Sequence, residues 1–393
     1  MRICIDISQS VYHRGVSRYT RELVAHLLKI DPSTGSGQVQ NEYVLFGSSL
    51  RQQKTLKKFI NSLKPNPFDR LRVSPEQSRR AKTLNPALPA GRLTTKLYPI
   101  PPTILEILFN RFHLSIDPFV GKADIFHSSD WTQPKTRTKK ITTIHDMIAL
   151  KFPELFDKKT TDVQKRRLRW VKEEVDKIIA VSQNTKKDIV EVLQIPESKI
   201  EVIYEAATPA FYPRKAEEIE AAKKKFGIKK DYLLTVNTRT SQKITQLIEA
   251  FKILAKEFAV ELVVVGEKIP DTEKIIQTGT LPDEDLSRLY SGTSVFVFTS
   301  IYEGFGLPVL EAMACGAPVI CSATSSLPEV VGNAAVFVNP NSREEITEKV
   351  QKVLMDNKFT QELSQLGLVQ ATKFSWLKTA RETLTVYEEV FKG

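Results

Sequence analysis

The stretch VFVFTSIYEGFGLPVLEAMACG, residues 295–316, contains three kinds of segment in one line. VFVFTS is apolar and rich in β-branched and aromatic residues, so it is expected to be a buried strand. IYEGFGL is then the loop beyond its carboxyl end. Pro308 suits the first turn of a helix and Gly316 suits its stop, which predicts a helix over 308–315. Glu303 therefore falls at the strand end, and Glu311 about one turn into the helix. Gly304 and Gly306 allow a backbone to approach a ligand closely. A helix N-terminus offers free N–H groups and a positive dipole end, which favour phosphate. Carboxylates accept hydrogen bonds from hydroxyl groups. Phosphate donors flanked by two hydroxyl acceptors are what a sugar nucleotide needs. Taken alone, the same residues also fit an ordinary loop with two solvated glutamates.

The pattern repeats on both sides. In the second half YLLTVN, VELVVVG, KIIQTG, APVICS and AAVFVN read as strands, alternating with helices over 241–257, 283–291 and 343–356. In the first half RICIDIS, EYVLFG, ADIFHSS, KKITTIHDM, KIIAVS and KIEVIY read as strands. Helices are expected from about Ser17 to Leu28, over KTLKKFINSLK (54–64) and from near Asn184. Gly15 is read as part of the loop before the first helix, and residues 65–102, rich in proline and basic residues, as irregular. Strands alternating with helices argue for parallel sheets covered on both faces. The charged, proline-punctuated stretch 207–231 is read as the domain boundary. The fold class is thus α/β, two Rossmann-like domains facing a central cleft, spanning 1–208 and 209–374, with a last helix in 375–393.

A chain of 393 residues is too long for one ordinary core. It contains no run of about 18 apolar residues, so no transmembrane helix is expected. MRICIDIS reads as a first strand, not a signal peptide. Cys4, Cys315 and Cys321 stand in apolar contexts without metal-ligand spacing, as buried reduced thiols of a cytoplasmic protein would. The net charge of +11 is uneven: residues 1–200 carry 35 Lys and Arg against 20 Asp and Glu, residues 201–393 carry 22 against 26. One basic half points to an anionic partner for that half. Nucleic acid is not that partner, because no binding motif and no aromatic-interleaved basic stripe is present. A dinucleotide-dependent dehydrogenase is disfavoured by the lack of G-x-G-x-x-G after any strand.

Residues 303–316 resemble the E-x7-E segment of the family-4, group 1 type of GT-B glycosyltransferases. GTLPDEDLSRLYSGTSVFVFTSIYEGFGLPVLEAMACGAPVICSATSSLPEVVGNAAVFVNP resembles that family's core signature almost throughout, and TTIHDMIAL, KIIAVSQNTKKDIVEVLQIPESKIEVIY and GVSRYTRELVAHL resemble family segments in family order. The resemblance covers most of the chain and is weakest over about 47–120. It implies a GT-B fold whose N-terminal domain binds the acceptor, whose C-terminal domain binds a nucleotide sugar, and whose last helix, in 375–393, packs back on the N-terminal domain. It implies a retaining, metal-independent transferase that moves a hexose of mannose or glucose type from a GDP- or UDP-linked donor to a glycan or lipid-linked acceptor. The donor is a substrate, and no cofactor is implied.

Carried over residue by residue, the resemblance places Glu303 on the donor sugar and Glu311 on the ribose hydroxyls. It places the Gly304, Phe305, Gly306 and Leu307 backbone on sugar and diphosphate, and Gly15, Val16 and Ser17 on the diphosphate. His145 lies beside the donor sugar, while Asp146 is read as a structural cap. Arg239 and Lys243 match the cations that hold the diphosphate, within a segment, VNTRTSQK, that departs from the family pattern. Asp283, Glu284 and Asp285 look like an acidic metal-binding run but sit at a helix start, where acids complement the dipole. The basic helix 54–64 and KLYPIPPTILEILFNRF allow for an anionic membrane surface as partner, with a cytoplasmic location at the inner membrane face. The alternative reading is a non-catalytic sugar-nucleotide or glycan-binding protein on the same fold.

Overall fold

A computed structural model of the chain describes residues 1–11, 15–31, 41–63, 93–237, 244–270 and 275–393. The chain divides into two units. The first takes Met1–Val181, Lys186–Ile203 and Trp376–Gly393, and the second takes Ser182–Thr185 and Tyr204–Ser375.

Seven short apolar runs make the sheet of the first unit: β1 (Arg2–Asp6), β2 (Glu42–Ser48), β3 (Leu93–Tyr98), β4 (Ile125–Ser128), β5 (Lys139–Ile144), β6 (Lys177–Ala180) and β7 (Ile200–Val202). All neighbours pair in parallel, in the order β3-β2-β1-β4-β5-β6-β7. The winding reverses between β1 and β4, and in open parallel sheets ligands bind beyond the strand ends at such a reversal. Helix α1 (Gly15–Ile30) buries Leu23, Val24 and Leu27 against this sheet unit. Helices α2 (Gln53–Ser62), α3 (Lys158–Glu174) and α4 (Gln183–Leu193) follow in the chain. Asp157 starts α3 by accepting a bond from the Thr160 N–H at 2.8 Å.

The last helix, Trp376–Lys392, belongs to this first unit. Trp376, Ala380, Thr383 and Tyr387 recur at helical spacing and are buried. The Trp376 ring meets Tyr19 of α1 edge-on at 5.9 Å.

The second unit repeats the pattern with β8 (Asp231–Asn237), β9 (Val260–Gly266), β10 (Ile275–Gly279), β11 (Val295–Phe298), β12 (Val319–Ser322) and β13 (Val336–Val338). These strands are parallel in the order β10-β9-β8-β11-β12-β13. Its helices are α5 (Ala216–Phe226), α6 (Ile244–Glu257), α7 (Asp283–Gly292), α8 (Leu307–Ala314), α9 (Leu327–Val331), α10 (Arg343–Met355) and α11 (Asn357–Ala371). Leu233, Leu262, Val297 and Ile320 of the sheet share one core with Leu247 and Phe251 of α6 and Val350 of α10. Cys4, Cys315 and Cys321 are buried free thiols.

Five of these elements differ from the sequence reading. β3 lies inside the stretch expected to be irregular. It is an edge strand paired only with β2, and edge strands carry polar residues, here Thr95 and Lys96 facing solvent. α5 lies inside the expected boundary stretch. Its start has Glu217 and Glu218 and its end has Lys223, Lys224 and Lys225, a charge order that suits the helix dipole. Gly227, at φ 72°, closes it. α1 starts at Gly15, which is helical and not part of the preceding loop. Helices α9 and α11 add elements that the sequence reading did not include.

Because Trp376 is buried between the last helix and α1, Trp376→Ala is expected to destabilise the chain by about 3–5 kcal/mol, checked by urea unfolding.

Candidate functional site

Beyond β11 the second unit builds a braced loop. Thr299 and Ser300 continue the buried strand, and the chain then turns outward through Ile301 to Glu303. The Ser300 hydroxyl donates to Glu303 Oε1 at 2.7 Å, so one carboxylate oxygen is held from behind. The Ser325 hydroxyl accepts from the Glu303 N–H at 2.9 Å and also donates to the Glu303 carbonyl. The Ser326 hydroxyl lies 2.9 Å from the Glu303 carbonyl and 2.7 Å from that of Phe305, sharing one proton between them. Within the same unit, the Gly304 carbonyl accepts from Ser182 Oγ at 2.5 Å and Thr185 Oγ1 at 3.1 Å. Phe305 packs its ring between Tyr204 and Phe374, at 5.9 and 5.7 Å between centroids. The loop thus has its carbonyls turned into the protein and bound.

Gly306 ends the loop and precedes α8. Its φ of 110° is one that side chains rarely adopt, and an added Cβ would lie 2.8 Å from Leu327 Cδ2. Pro308 stands in the first turn of α8, as its sequence position required. Glu311 lies in the second turn and is only 2% exposed. A carboxylate withdrawn that far from water is stable only where donors meet it. In the first turn of this eight-residue helix the Val309 and Leu310 N–H groups donate to the Gly306 carbonyl at 3.2 and 3.3 Å, so the helix start offers chiefly the positive end of its dipole. At the other end, Gly316 (φ 79°) lets its own N–H reach the Met313 carbonyl and that of Ala317 reach Ala312.

The sequence reading missed Ser325 and Ser326. Their signal is the SSLPE run after β12, a serine pair before a short helix with proline in its first turn. Such a serine reads as a cap for α9, but its hydroxyl turns instead to the Glu303 loop.

In the first unit, Gly15, Val16 and Ser17 form the first turn of α1. The Ser17 hydroxyl donates to the Ser10 carbonyl at 2.9 Å, and Arg21 Nε reaches the same oxygen at 2.6 Å. Ser17 therefore anchors the helix start with its side chain. His145 follows the last residue of β5 and is buried. Its ring stands edge-on to Tyr19 at 4.7 Å. Asp146 Oδ1 accepts the Ile148 N–H at 3.0 Å, capping the short helix that follows. Val16, Tyr19, Asp6, Asp130, His127 and His145 line one cavity at the ends of β1, β4 and β5. Burial raises the Asp6 carboxyl above its ordinary range, partly offset by bonds from the Ser8 N–H at 2.9 Å and the Thr132 hydroxyl at 3.3 Å.

Arg239 and Lys243 lie outside the described residues. Asn237, at the end of β8, sends its side-chain amide to the Glu267 carbonyl at 2.9 Å. Asp283, Glu284 and Asp285 occupy the first turn of α7, and Asp285 pairs with Lys225 at 2.6 Å and Arg288 at 3.0 Å. Those two cations hold its carboxyl below the usual range, although burial works the other way.

The family described as Glycosyl transferases group 1 matches residues 217–367, and that described as Glycosyltransferase Family 4 matches residues 73–210. The chain is 30% identical over 281 residues to the O-antigen chain mannosyltransferase B of Escherichia coli, covering 67% of this chain and 74% of that protein. It is 32% identical over 264 residues to the serotype-specific mannosyltransferase WbdA of Escherichia coli, covering 62% of this chain and 32% of that protein. The solved structure of Anabaena Alr3699/HepE in complex with UDP-glucose is similar with a TM-score of 0.65 at 14% identity, covering 99% of this chain and 100% of that one. The fold is GT-B.

Gly306→Ala is expected to cost at least about 1–2 kcal/mol, because alanine must adopt a strained φ and displace Leu327. Equilibrium unfolding checks it, and a loss of less than half that range would show that the loop relaxes freely.

Proposed function

The chain belongs to the glycosyl transferases group 1 family, and from that premise we propose that it moves a mannosyl group from a nucleoside-diphosphate mannose to a hydroxyl of a growing glycan. The observation that carries this reading is the braced loop, with Glu303 held by Ser300, a left-handed Gly306 and the buried Glu311 one turn into α8. Mannose is favoured because both Escherichia coli relatives above are named mannosyltransferases. The HepE complex with UDP-glucose supports the wider class of nucleotide sugars as donors on this fold. GDP is the base we expect first, with UDP as the competitor.

In this reading Glu303 binds donor-sugar hydroxyls and Glu311 the ribose hydroxyls. The backbone from Gly304 to Leu307 and the start of α8 receive the diphosphate, together with Arg239 and Lys243. Charge builds on that diphosphate as it leaves, so preorganised N–H groups and cations lower the barrier. In the first unit His145 serves the donor sugar, and the Gly15–Val16–Ser17 turn serves the diphosphate. The acceptor oxygen bonds to the anomeric carbon as the bond to the diphosphate oxygen breaks. The acceptor proton passes to the departing phosphate, and the product keeps the donor's anomeric configuration. The nucleotide sugar is a substrate, and no separate cofactor or metal takes part.

We place the first unit at an anionic membrane surface on the cytoplasmic side, where a lipid-linked acceptor would be found. No helix among the described residues is long and apolar enough to cross a membrane. Contact at the surface is supported by Ile104, Phe112 and Leu114, which are exposed, with Arg111 beside them. Lys54, Lys57 and Lys58 are exposed on α2. Phe112→Asp is expected to weaken sedimentation with phosphatidylglycerol vesicles while leaving the thermal shift with GDP unchanged. Equal sedimentation of both proteins would remove the surface contact.

The donor assignment is tested by thermal stability with GDP, UDP, ADP and CMP. A nucleotide at about 100 times its dissociation constant adds roughly 2.7 kcal/mol. A shift with GDP that disappears in Glu311→Ala is expected. Glu303→Ala should keep the shift and lose turnover of GDP-mannose. If no nucleotide stabilises the protein, the non-catalytic reading takes its place.

A further inference from the structure

A buried line of polar groups runs through the first unit and ends beside His145. Tyr387 Oη, on the last helix, is 2.7 Å from His127 Nδ1. His127 Nε2 is 2.9 Å from Thr143 Oγ1. Thr143 Oγ1 is 2.9 Å from Tyr19 Oη. The Tyr19 ring forms the wall against which His145 stands, 4.7 Å away at 83°. His127, Thr143, Tyr19 and Tyr387 are each 3% exposed or less. The groups are thus largely withdrawn from bulk water, where a lost bond within the protein is costly.

The line has two self-consistent directions. In one, Tyr387 donates to Nδ1, Nε2–H donates to Thr143, and Thr143 donates to Tyr19. In the other every proton points the opposite way. Each direction needs one proton on the His127 ring, not two. Burial, and then the charge of His145, push the ring's protonation down to about 3, which keeps it neutral. Thr143 lies two residues before His145 on the same strand end. Arg167 Nη2 holds that strand end from another side, reaching the Thr143 carbonyl and Thr142 Oγ1 at 3.3 Å each. His127 borders the small cavity beside His145 but is only 3% exposed, so its effect on chemistry passes mainly through the groups it holds.

We propose that His127 is a positioning residue for the transfer, fixing His145 through the Thr143 hydroxyl and the Tyr19 ring and tying that arrangement to Tyr387 of the last helix. The proposal rests on the reading that His145 serves the donor sugar. A shift of about 1 Å in a positioned group costs up to about 100-fold in rate, so the line matters even though it touches no substrate.

The test uses Thr143→Val, which keeps shape and removes the hydroxyl, with His127→Phe and the double variant. Each single change is expected to lower kcat with GDP-mannose by about 10-fold or more, with little change in KM. The double variant should be no slower than the worse single, because the groups act as a unit. In 15N spectra of the histidine rings, the His145 signals should move in Tyr387→Phe, a change on the last helix at the far end of the line. Rates within about twofold of the unaltered protein together with unmoved His145 signals would overturn the proposal, as would losses that multiply in the double variant. If His127→Phe fails to fold, Thr143→Val and Tyr19→Phe decide the question by the same readouts. If the unaltered protein turns over no nucleotide sugar, the transferase reading fails, and the movement of the His145 signals alone decides whether the line positions that ring.

Discussion

In a parallel sheet covered on both faces, the strand interiors are mostly apolar, and most polar groups gather toward the strand ends. All strands of each sheet run the same way, so every carboxyl end emerges along one edge. The positions of the chemistry-bearing residues follow from this constraint. Asp6 closes β1, His127 and Ser128 close β4, His145 follows β5, and Thr299 to Glu303 follow β11. Val319 to Ser322, with no solvent access, show what the interior of such a strand permits. The winding reversals, between β1 and β4 and between β8 and β11, leave the chain departing to opposite sides of these ends. Space opens there without breaking a ladder of hydrogen bonds.

The same constraint decided what could be read from the sequence. VELVVVG and APVICS are near-continuous apolar runs because both their faces are covered, and they became β9 and β12. LTTKLY became β3 but does not announce itself, since an edge strand pairs on one side and tolerates Thr and Lys. AEEIEAAKKKF became α5 although only Ala222 in it is buried, so its apolar period was too faint to find. Its capping pattern, acids first and lysines last, was the available signal. The E-x7-E spacing was legible because proline and glycine mark the ends of α8. The serines that brace the Glu303 loop were not, because their SSLPE run reads as a cap for α9 and not as a brace for a loop elsewhere in the unit.

The two glutamates are placed by different physics. Glu303 is partly exposed, and its backbone is fixed from both sides by Ser325 while Ser300 holds one oxygen. Glu311 is fixed by burial and by its helix. The first is ready for a ligand that arrives and leaves. The second needs donors already in place, and the positive end of α8 one turn away helps supply a favourable field. A left-handed glycine between them lets a loop with bound carbonyls pass directly into a helix, whose first bonds run from the Val309 and Leu310 N–H groups to the Gly306 carbonyl.

The last helix makes the first unit depend on the whole chain. Its core includes Trp376, Ala380, Val386 and Tyr387, yet residues 204–375 between them and the rest belong to the second unit. Until those final residues are made, Tyr19 lacks its Trp376 neighbour and His127 lacks the Tyr387 hydroxyl. Contacts separated by this much chain are slow to form, since the loop between them must be closed first. The second unit, nearly continuous in sequence, carries no such delay. Order at His127 therefore reports that both ends of the chain have met. The groups nearest His145 acquire their final geometry only in a chain folded to its last helix.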